Sequence, residues 1–168
     1  MRKLLLSIFL VLGSLIVQAA ARSTAFRTYR SPDSAILVKI SEVSRRCVES
    51  RIEIRRVNGS LLLRKIFASA DCEHGMTAQY GAWTSDGKFF VFNAQSTGGH
   101  QPWHWPIHFY SRRDNKVRNL DIYVGAVVAP KFELKGQHSV ETRVLEMGND
   151  RGRPITANLA QIAKRPRR

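Results

Sequence analysis

The hydrophobic positions of this chain recur most clearly with a period of two. Over Arg51–Val57, apolar side chains alternate with charged ones, which is the pattern of a half-exposed β-strand. Asn58-Gly59 follows, the strongest two-residue signal for a β-hairpin, and a second apolar run occupies Ser60–Phe67. These residues therefore predict two antiparallel strands joined by a tight turn.

Two further segments are apolar on both faces. Residues 35–43 contain Ile36-Leu37-Val38, and residues 88–94 contain Phe89-Phe90-Val91-Phe92. A strand of this kind is expected in the middle of a sheet that is covered on both sides. We therefore predict an all-β protein built from antiparallel sheets, with these two strands at their centres.

Similar turns precede the two apolar strands and indicate an internal repeat. The aspartates of Ser31-Pro32-Asp33-Ser34 and Thr84-Ser85-Asp86-Gly87 lie 53 residues apart. Two later turns, Asn58-Gly59 and Asp114-Asn115, lie 56 residues apart. A period near 50 with several strands in each repeat is typical of propeller blades. Since aspartate accepts backbone hydrogen bonds in such turns, we interpret both aspartates as turn-forming and not as catalytic.

The second repeat suggests a family. Residues 83–92, Trp-Thr-Ser-Asp-Gly-Lys-Phe-Phe-Val-Phe, followed by Arg118-Asn119-Leu120, resemble one blade of the TolB-type β-propeller. The resemblance implies two propeller-blade-like units, at about residues 26–67 and 80–121, and a partial third unit over 122–147. The chain is too short for a closed ring, so we expect its sheet edges to be covered by its own ends or by another chain. Residues 96–112 also resemble small uncharacterised exported bacterial proteins, which implies no activity.

The first residues are predicted to direct export. Arg2-Lys3, the apolar run Leu4–Val17 and Ala19-Ala20-Ala21 follow the order of a secretory signal, which places a signal peptide at residues 1–21. The apolar run is too short to cross a bilayer, and we predict no transmembrane segment in the mature chain. Residues 22–150 then form a single all-β domain, and residues 151–168 a basic C-terminal tail. The predicted location is the periplasm or the medium.

Cys47 and Cys72 are interpreted in the light of export. Two cysteines in one small domain of an oxidising compartment most simply form a disulfide, which here closes a separation of 25 residues. The alternative is a reactive or metal-bound thiol. Neither a Cys-x-x-Cys pair nor a histidine at zinc-finger spacing supports that alternative.

Composition narrows the class of protein further. Without residues 1–21, 25 basic and 13 acidic residues leave a net charge of +12 with histidines neutral. Collagen-like, wholly disordered and polytopic membrane proteins are excluded. The charge predicts salt-sensitive attraction to anionic polymers or lipid head groups, and export argues against a specific nucleic-acid partner. Pro154, Ile155, Leu159 and Ile162 predict a short amphipathic helix before the last basic residues.

Residues 98–108, Gly-Gly-His-Gln-Pro-Trp-His-Trp-Pro-Ile-His, combine three histidines with two tryptophans. His100, His104 and His108 are spaced by four, but the intervening prolines exclude the helix on which they would share a face. In an extended segment they spread over roughly 26 Å, too far for one ion. We therefore predict a rigid loop between strands and no metal site. A folded-back loop that gathers two of these histidines with His74 remains open.

The tryptophans indicate a second kind of site. Flat aromatic faces beside polar groups suit sugar rings or peptide segments, and loops between strands commonly carry binding sites. Trp83 is assigned to the core as the aromatic residue of the repeat, whereas Trp103 and Trp105 are predicted either to bind ligand or to turn inward. The candidate ligand-binding residues are His74, His100, Trp103, His104, Trp105 and His108.

Three functions follow from these features. The first is an exported, non-catalytic binding or interaction module without a cofactor, which engages an anionic or carbohydrate envelope component or a protein partner. The alternative is a metal-dependent hydrolase-type enzyme that uses His74, His100 and His104. The sequence lacks a Gly-x-Ser-x-Gly elbow, zincin spacing and a phosphate-binding loop, which argues against an enzyme. The third is a subunit that forms an oligomer by pairing its strand edges.

Overall fold

The computed structural model describes residues 26–98 and 104–165. Of these residues, 57% lie in strands and 7% in helices. The strands form three antiparallel sheets, and a short helix lies near the C-terminus, which confirms the predicted all-β class. The predicted signal peptide lies outside the described residues. In chain order the elements are β1 (Phe26–Arg30), β2 (Ile36–Ser44), β3 (Cys47–Arg56), β4 (Leu61–Ile66), β5 (Met76–Trp83), β6 (Phe89–Ser96), β7 (Ile107–Ser111), β8 (Lys116–Asn119), α1 (Asp121–Val124), β9 (Glu133–Lys135), β10 (Ser139–Glu146), β11 (Asn149–Asn158) and α2 (Leu159–Lys164).

Each sheet is formed by strands that follow one another along the chain. Sheet 1 contains β1 to β4 and sheet 2 contains β5 to β8, both in chain order, and sheet 3 has the order β11-β10-β9. The β3–β4 hairpin turns at Asn58-Gly59, as its sequence predicted. The first two sheets occupy nearly the same residues as the predicted repeats, although β5 begins earlier, at Met76.

Sheet 2 lies between the other two sheets, because both of its faces are covered by apolar side chains. From β6, Phe90 and Phe92 pack against the isoleucines of sheet 1, whereas Phe89 and Val91 pack against sheet 3 and α2. The prediction of a central, doubly covered strand is therefore confirmed for β6. It is wrong for β2, which is central in its sheet but exposes Lys39 on the outer face of the stack.

The repeated aspartate turns have the same internal hydrogen bonds. Ser31 Oγ donates to Asp33 Oδ1 at 2.6 Å, and Thr84 Oγ1 donates to Asp86 Oδ1 at 2.7 Å. In each turn the same carboxylate oxygen accepts the amide two residues further along, at 3.2 and 3.1 Å. The fourth residue of each turn adopts a positive φ, of 58° and 67°. The turn-forming interpretation of both aspartates is confirmed.

Hydrogen bonds at these turns also connect the three sheets. Arg112 in sheet 2 donates to Asp33 Oδ2 of the first turn at 2.8 Å and to the carbonyl of Gly87 in the second turn at 3.1 Å. Ser85 Oγ donates to the carbonyl of Gly136, in the β9–β10 turn, at 3.3 Å. Equivalent ends of the three sheets therefore lie together. No propeller is identified in the described residues, so the TolB-type resemblance remains a prediction.

Strand β11 crosses the boundary that the sequence suggested after residue 150. Residues 153–158 pair with β10, and residues 159–164 form α2, so this part of the predicted tail belongs to the folded domain. Pro154 and Ile155 lie in the strand, and the helix begins only at Leu159. An edge strand needs ladder hydrogen bonds on one side only, which is why β11 tolerates a proline. Among the described residues, no helix is long and apolar enough to cross a membrane.

Candidate functional site

A β-bulge in β5 shapes an exposed surface of sheet 2. Ala78 pairs with Ala94 and Tyr80 pairs with Asn93, which leaves Gln79 as an extra residue without a partner in β6. A bulge of this kind bends its strand and redirects side chains, and bulges are common next to functional sites. Tyr80 is 47% exposed, so its ring is presented at the surface.

A buried asparagine in β6 holds the bulge in place. Asn93 is 1% exposed, and its Oδ1 accepts the Tyr80 amide at 2.9 Å. Its Nδ2 donates to the carbonyl of Pro130, in the loop before β9. Arg27 of β1 donates to two carbonyls of the bulge from the opposite side. One buried side chain therefore fixes the position of two separate surface segments.

Trp105 is fixed by its backbone just before β7. Its amide donates to the carbonyl of Val127 at 2.7 Å, and the next residue's carbonyl accepts the Ala94 amide at 2.9 Å. Asp121 reinforces this arrangement, because its carboxylate accepts the amides of Ile107 and Val127, each at 3.1 Å. Burial raises the pKa of Asp121, although these backbone hydrogen bonds and the charge of His104 oppose the rise.

These segments enclose a cleft of about 520 Å³, which we call the aromatic cleft. Its lining residues are Gln79, Tyr80, Trp105, Pro130, Lys131 and Phe132. The ring centroids of Tyr80 and Phe132 lie 5.1 Å apart, and Phe132 is only 6% exposed, so it supports the tyrosine from below. The volume falls in the range of small-molecule pockets, roughly 300–1,000 Å³. The lining therefore combines three aromatic residues with one glutamine and one lysine.

Trp105 and Trp83 lie in different surroundings. Trp105, predicted either to bind ligand or to turn inward, is among the residues that line the aromatic cleft. Trp83 is partly buried against the core, with its ring centroid 5.4 Å from that of Phe90, which confirms its assignment. Trp103 and His100 fall within residues 99–103, outside the described residues.

His108, another predicted ligand-binding residue, is buried and is not among the residues that line the aromatic cleft. It is 6% exposed in β7, and its ring stacks on Phe92 at a centroid distance of 5.3 Å. Burial, with a smaller contribution from the charge of Lys65, lowers its pKa to about 4. The reason is that β7 belongs to the middle sheet, where alternation sends every side chain toward one of two covered faces.

His74 lies in the loop that connects sheets 1 and 2 and does not line the aromatic cleft. Its side chain is exposed, and its Nδ1 lies 2.6 Å from Asp71 Oδ2. The hydrogen bond between the imidazole and this carboxylate, followed by the charge of the carboxylate, raises the pKa of His74. The pair stabilises the loop locally and is open to solvent.

The same loop is organised by a buried carboxylate that the sequence did not reveal. Glu49 of β3 is fully buried and accepts the Ser69 amide at 2.7 Å, the Thr97 hydroxyl at 2.6 Å and the Gly75 amide. Burial alone would raise the pKa of Glu49, but the hydrogen bonds from Thr97, Gly75 and Ser69 outweigh it and hold the pKa below its ordinary value. Glu49 is therefore an ionised anchor for the connection between the two sheets.

The predicted disulfide between Cys47 and Cys72 is present. With Glu49 these cysteines form the one group of metal-ligand type that occurs within residues 26–98 and 104–165. Because both sulfurs are in the disulfide and the carboxylate is satisfied by hydrogen bonds, this group is structural. In the same residues, His74, His104 and His108 are not gathered into a common group.

Comparison with models of known protein families, with curated proteins and with solved structures finds no match to this chain. The site must therefore be judged from its own geometry. Sequence reasoning identified Trp105 but missed Tyr80, Phe132 and Asn93. One signal was available, because Asn93 is the polar residue within Phe89–Ala94, the otherwise apolar part of β6.

Proposed function

We propose that this protein is an exported, non-catalytic binding module whose aromatic cleft stacks sugar rings, with a preference for sugars that carry a carboxylate. The observation that carries the proposal is the pair of aromatic side chains, Tyr80 and Trp105, that line one cleft together with Gln79 and Lys131. Aromatic faces bind the apolar faces of sugar rings, while amide and ammonium groups bind their hydroxyl and carboxylate groups.

Preorganisation supports binding at this cleft. The backbone positions of Tyr80 and Pro130 are both fixed by Asn93, and that of Trp105 is fixed by Val127. A ligand that stacks here does not have to order the segments that carry these side chains. Binding therefore avoids part of the entropy cost that weakens association with mobile surfaces.

Charge supports the preference for acidic sugars. Lys131 is exposed at the cleft, and no aspartate or glutamate is among the described residues that line it. The net charge of +12 in the chain without residues 1–21 favours encounter with any polyanion, including acidic envelope polysaccharides. A neutral sugar gains the stacking and hydroxyl contributions but not the charge pairing.

The proposed export rests on the signal-like order of residues 1–21 and is supported by the Cys47–Cys72 disulfide, which is typical of oxidising compartments. Mass spectrometry of the protein recovered from outside the cytoplasm tests the proposed export. We expect the mature chain to begin at Arg22, and an intact N-terminus would contradict the proposal.

Calorimetric titration of the mature protein with tetragalacturonate and with α-1,4-linked galactotetraose tests the binding function. These oligosaccharides match in length, linkage and ring configuration and differ in their carboxylates. We expect tetragalacturonate to bind more tightly, and Tyr80→Ala to weaken binding of both about fivefold, as the loss of about 1 kcal/mol of stacking requires. Lys131→Gln should weaken the binding of tetragalacturonate and leave that of the neutral oligosaccharide unchanged.

The matched control is Phe26→Ala, which removes an exposed aromatic ring from β1, outside the cleft. This variant should bind both oligosaccharides as the native protein does. Unchanged affinity in Tyr80→Ala, in protein whose thermal unfolding is unaltered, would refute the proposed site. Equal losses in the two variants would also refute it.

A further inference from the structure

A second cleft lies where α2 meets the ends of the two middle strands of sheet 2, and it shares no lining residue with the aromatic cleft. Its volume is about 500 Å³, and we call it the basic cleft. The lining residues are Lys88, Phe89, Ser111, Arg112, Arg113, Ala160, Ala163 and Lys164. They come from the ends of β6 and β7 on one side and from the helix on the other.

The floor of the basic cleft is apolar because of the spacing of residues on α2. Leu159 and Ile162 point into the core and are 0% and 5% exposed. Ala160 and Ala163 follow one position later on the adjacent face, where their small side chains leave space above Phe89. The helix is held beside sheet 2, because Arg118 of β8 pairs with Asp114 and also donates to the carbonyl of Ala163 at 3.3 Å.

The rim of the basic cleft carries four cationic side chains and no acidic lining residue among the described residues. Two of the four are neutralised, because Lys88 pairs with Asp86 at 3.2 Å and Arg112 pairs with Asp33 at 2.8 Å. Arg113 and Lys164 are exposed and form no ion pair within the described part of the chain. The cleft therefore has two uncompensated positive charges beside an apolar floor.

We propose that the basic cleft binds an amphiphilic anion, in which a carboxylate or phosphate is attached to an apolar chain. The head group pairs with Arg113 and Lys164, and the chain covers Phe89, Ala160 and Ala163. The residues that follow α2 do not complement these charges, since residues 165–168 add three arginines. This site is independent of the proposed sugar-binding function.

Titration followed by heteronuclear NMR, with octanoate, octyl phosphate, octanol and acetate as probes, tests the proposal. We expect both octyl anions to shift the amide signals of residues 88–89, 111–113 and 160–164, and octanol and acetate to bind much more weakly. Preference for one octyl anion identifies the head group as carboxylate or phosphate. Octanol that binds as well as octanoate, or acetate that binds as well as octanoate, would overturn the proposal.

Two variants separate the contributions of charge and volume. Arg113→Gln combined with Lys164→Gln should weaken octanoate binding about fivefold at low salt. Ala160→Leu should abolish binding by filling the cleft without changing its charge, and Gln161→Leu, an exposed position on the same helix, is its matched control. Raising the salt from about 0.01 to about 0.3 M should weaken binding to the native protein.

Undiminished binding in Ala160→Leu would place the ligand elsewhere and overturn the proposal, as would equal loss in Gln161→Leu. These variants leave the aromatic cleft intact, so tetragalacturonate binding should be unchanged in all of them. Failure of either site is therefore distinguishable from failure of the other.

Discussion

Replacing Glu49 by glutamine tests the assignment of this residue as a buried, ionised anchor. In the native protein each carboxylate oxygen accepts a backbone amide, Oε2 that of Ser69 and Oε1 that of Gly75. A glutamine side chain keeps one acceptor oxygen and turns an N–H group toward the other amide. One charge-assisted hydrogen bond is lost and one buried donor has no acceptor.

The expected cost follows from these contacts. A hydrogen bond to a charged group contributes about 1.5–3 kcal/mol, and an unsatisfied buried donor costs a further amount of similar size, so we expect a loss of about 3 kcal/mol at pH 7. For a domain of this length that corresponds to a decrease in Tm of about 6–12 °C. Thermal and urea unfolding of Glu49→Gln measure this loss.

A more specific assay compares the free energies of unfolding of the native protein and Glu49→Gln as a function of pH. Because folding lowers the pKa of Glu49, its stabilisation is fully present above the ordinary value of 4.5. It is lost as the pH falls through the lower pKa of the folded state. Glu73→Gln, an exposed position in the same loop, is the control and should unfold as the native protein does at every pH. A difference that stays constant from neutral pH into the acid range would refute the role of the charge.

Three further predictions concern the fold and the site. Asn93→Ala should lower the free energy of unfolding by about 1–3 kcal/mol and also weaken tetragalacturonate binding, and normal binding in a folded variant would show that the cleft does not depend on this residue. Cys47→Ser combined with Cys72→Ser should lower the free energy of unfolding by about 3–4 kcal/mol for a separation of 25 residues, measured by urea unfolding, and a change below about 1 kcal/mol would contradict the stabilising role. The free energy of unfolding of the native protein should fall by about 3 kcal/mol between pH 6.5 and pH 4. Burial of His108 lowers its pKa to about 4, so the unfolded chain binds this proton more tightly than the folded chain does. His108→Phe should remove that loss, and an unchanged pH profile would contradict it.

The sheets could be predicted from the sequence where local patterns determine the structure. The alternation over residues 51–57, the Asn58-Gly59 turn and the repeated aspartate turns each specify backbone conformation through neighbouring residues. Strand β11 escaped prediction because Arg151-Gly152-Arg153-Pro154 has neither alternation nor strand-forming side chains. It forms because β10 supplies a partner through tertiary contact, and such pairing is not encoded locally.

The candidate site was only partly predictable for a related reason. Alternation in β7 assigns His108 to one face of a strand, but the number of sheets that cover that strand depends on how the whole chain stacks. The aromatic cleft depends on a bulge in β5 and on a side-chain hydrogen bond from Asn93 to Pro130, 37 residues away. Only Trp105, which lies in a segment of unusual composition, could be singled out without the structure.

The central claim is that sugar rings stack at the aromatic cleft. The most direct measurement is the response of the tryptophan indole N–H signals of isotope-labelled protein during titration with tetragalacturonate. We predict that the Trp105 signal shifts in proportion to saturation, and that the Trp83 signal, whose indole nitrogen donates to the carbonyl of Tyr29 at 3.3 Å, stays in place. A saturating titration that leaves the Trp105 signal unmoved would contradict the account.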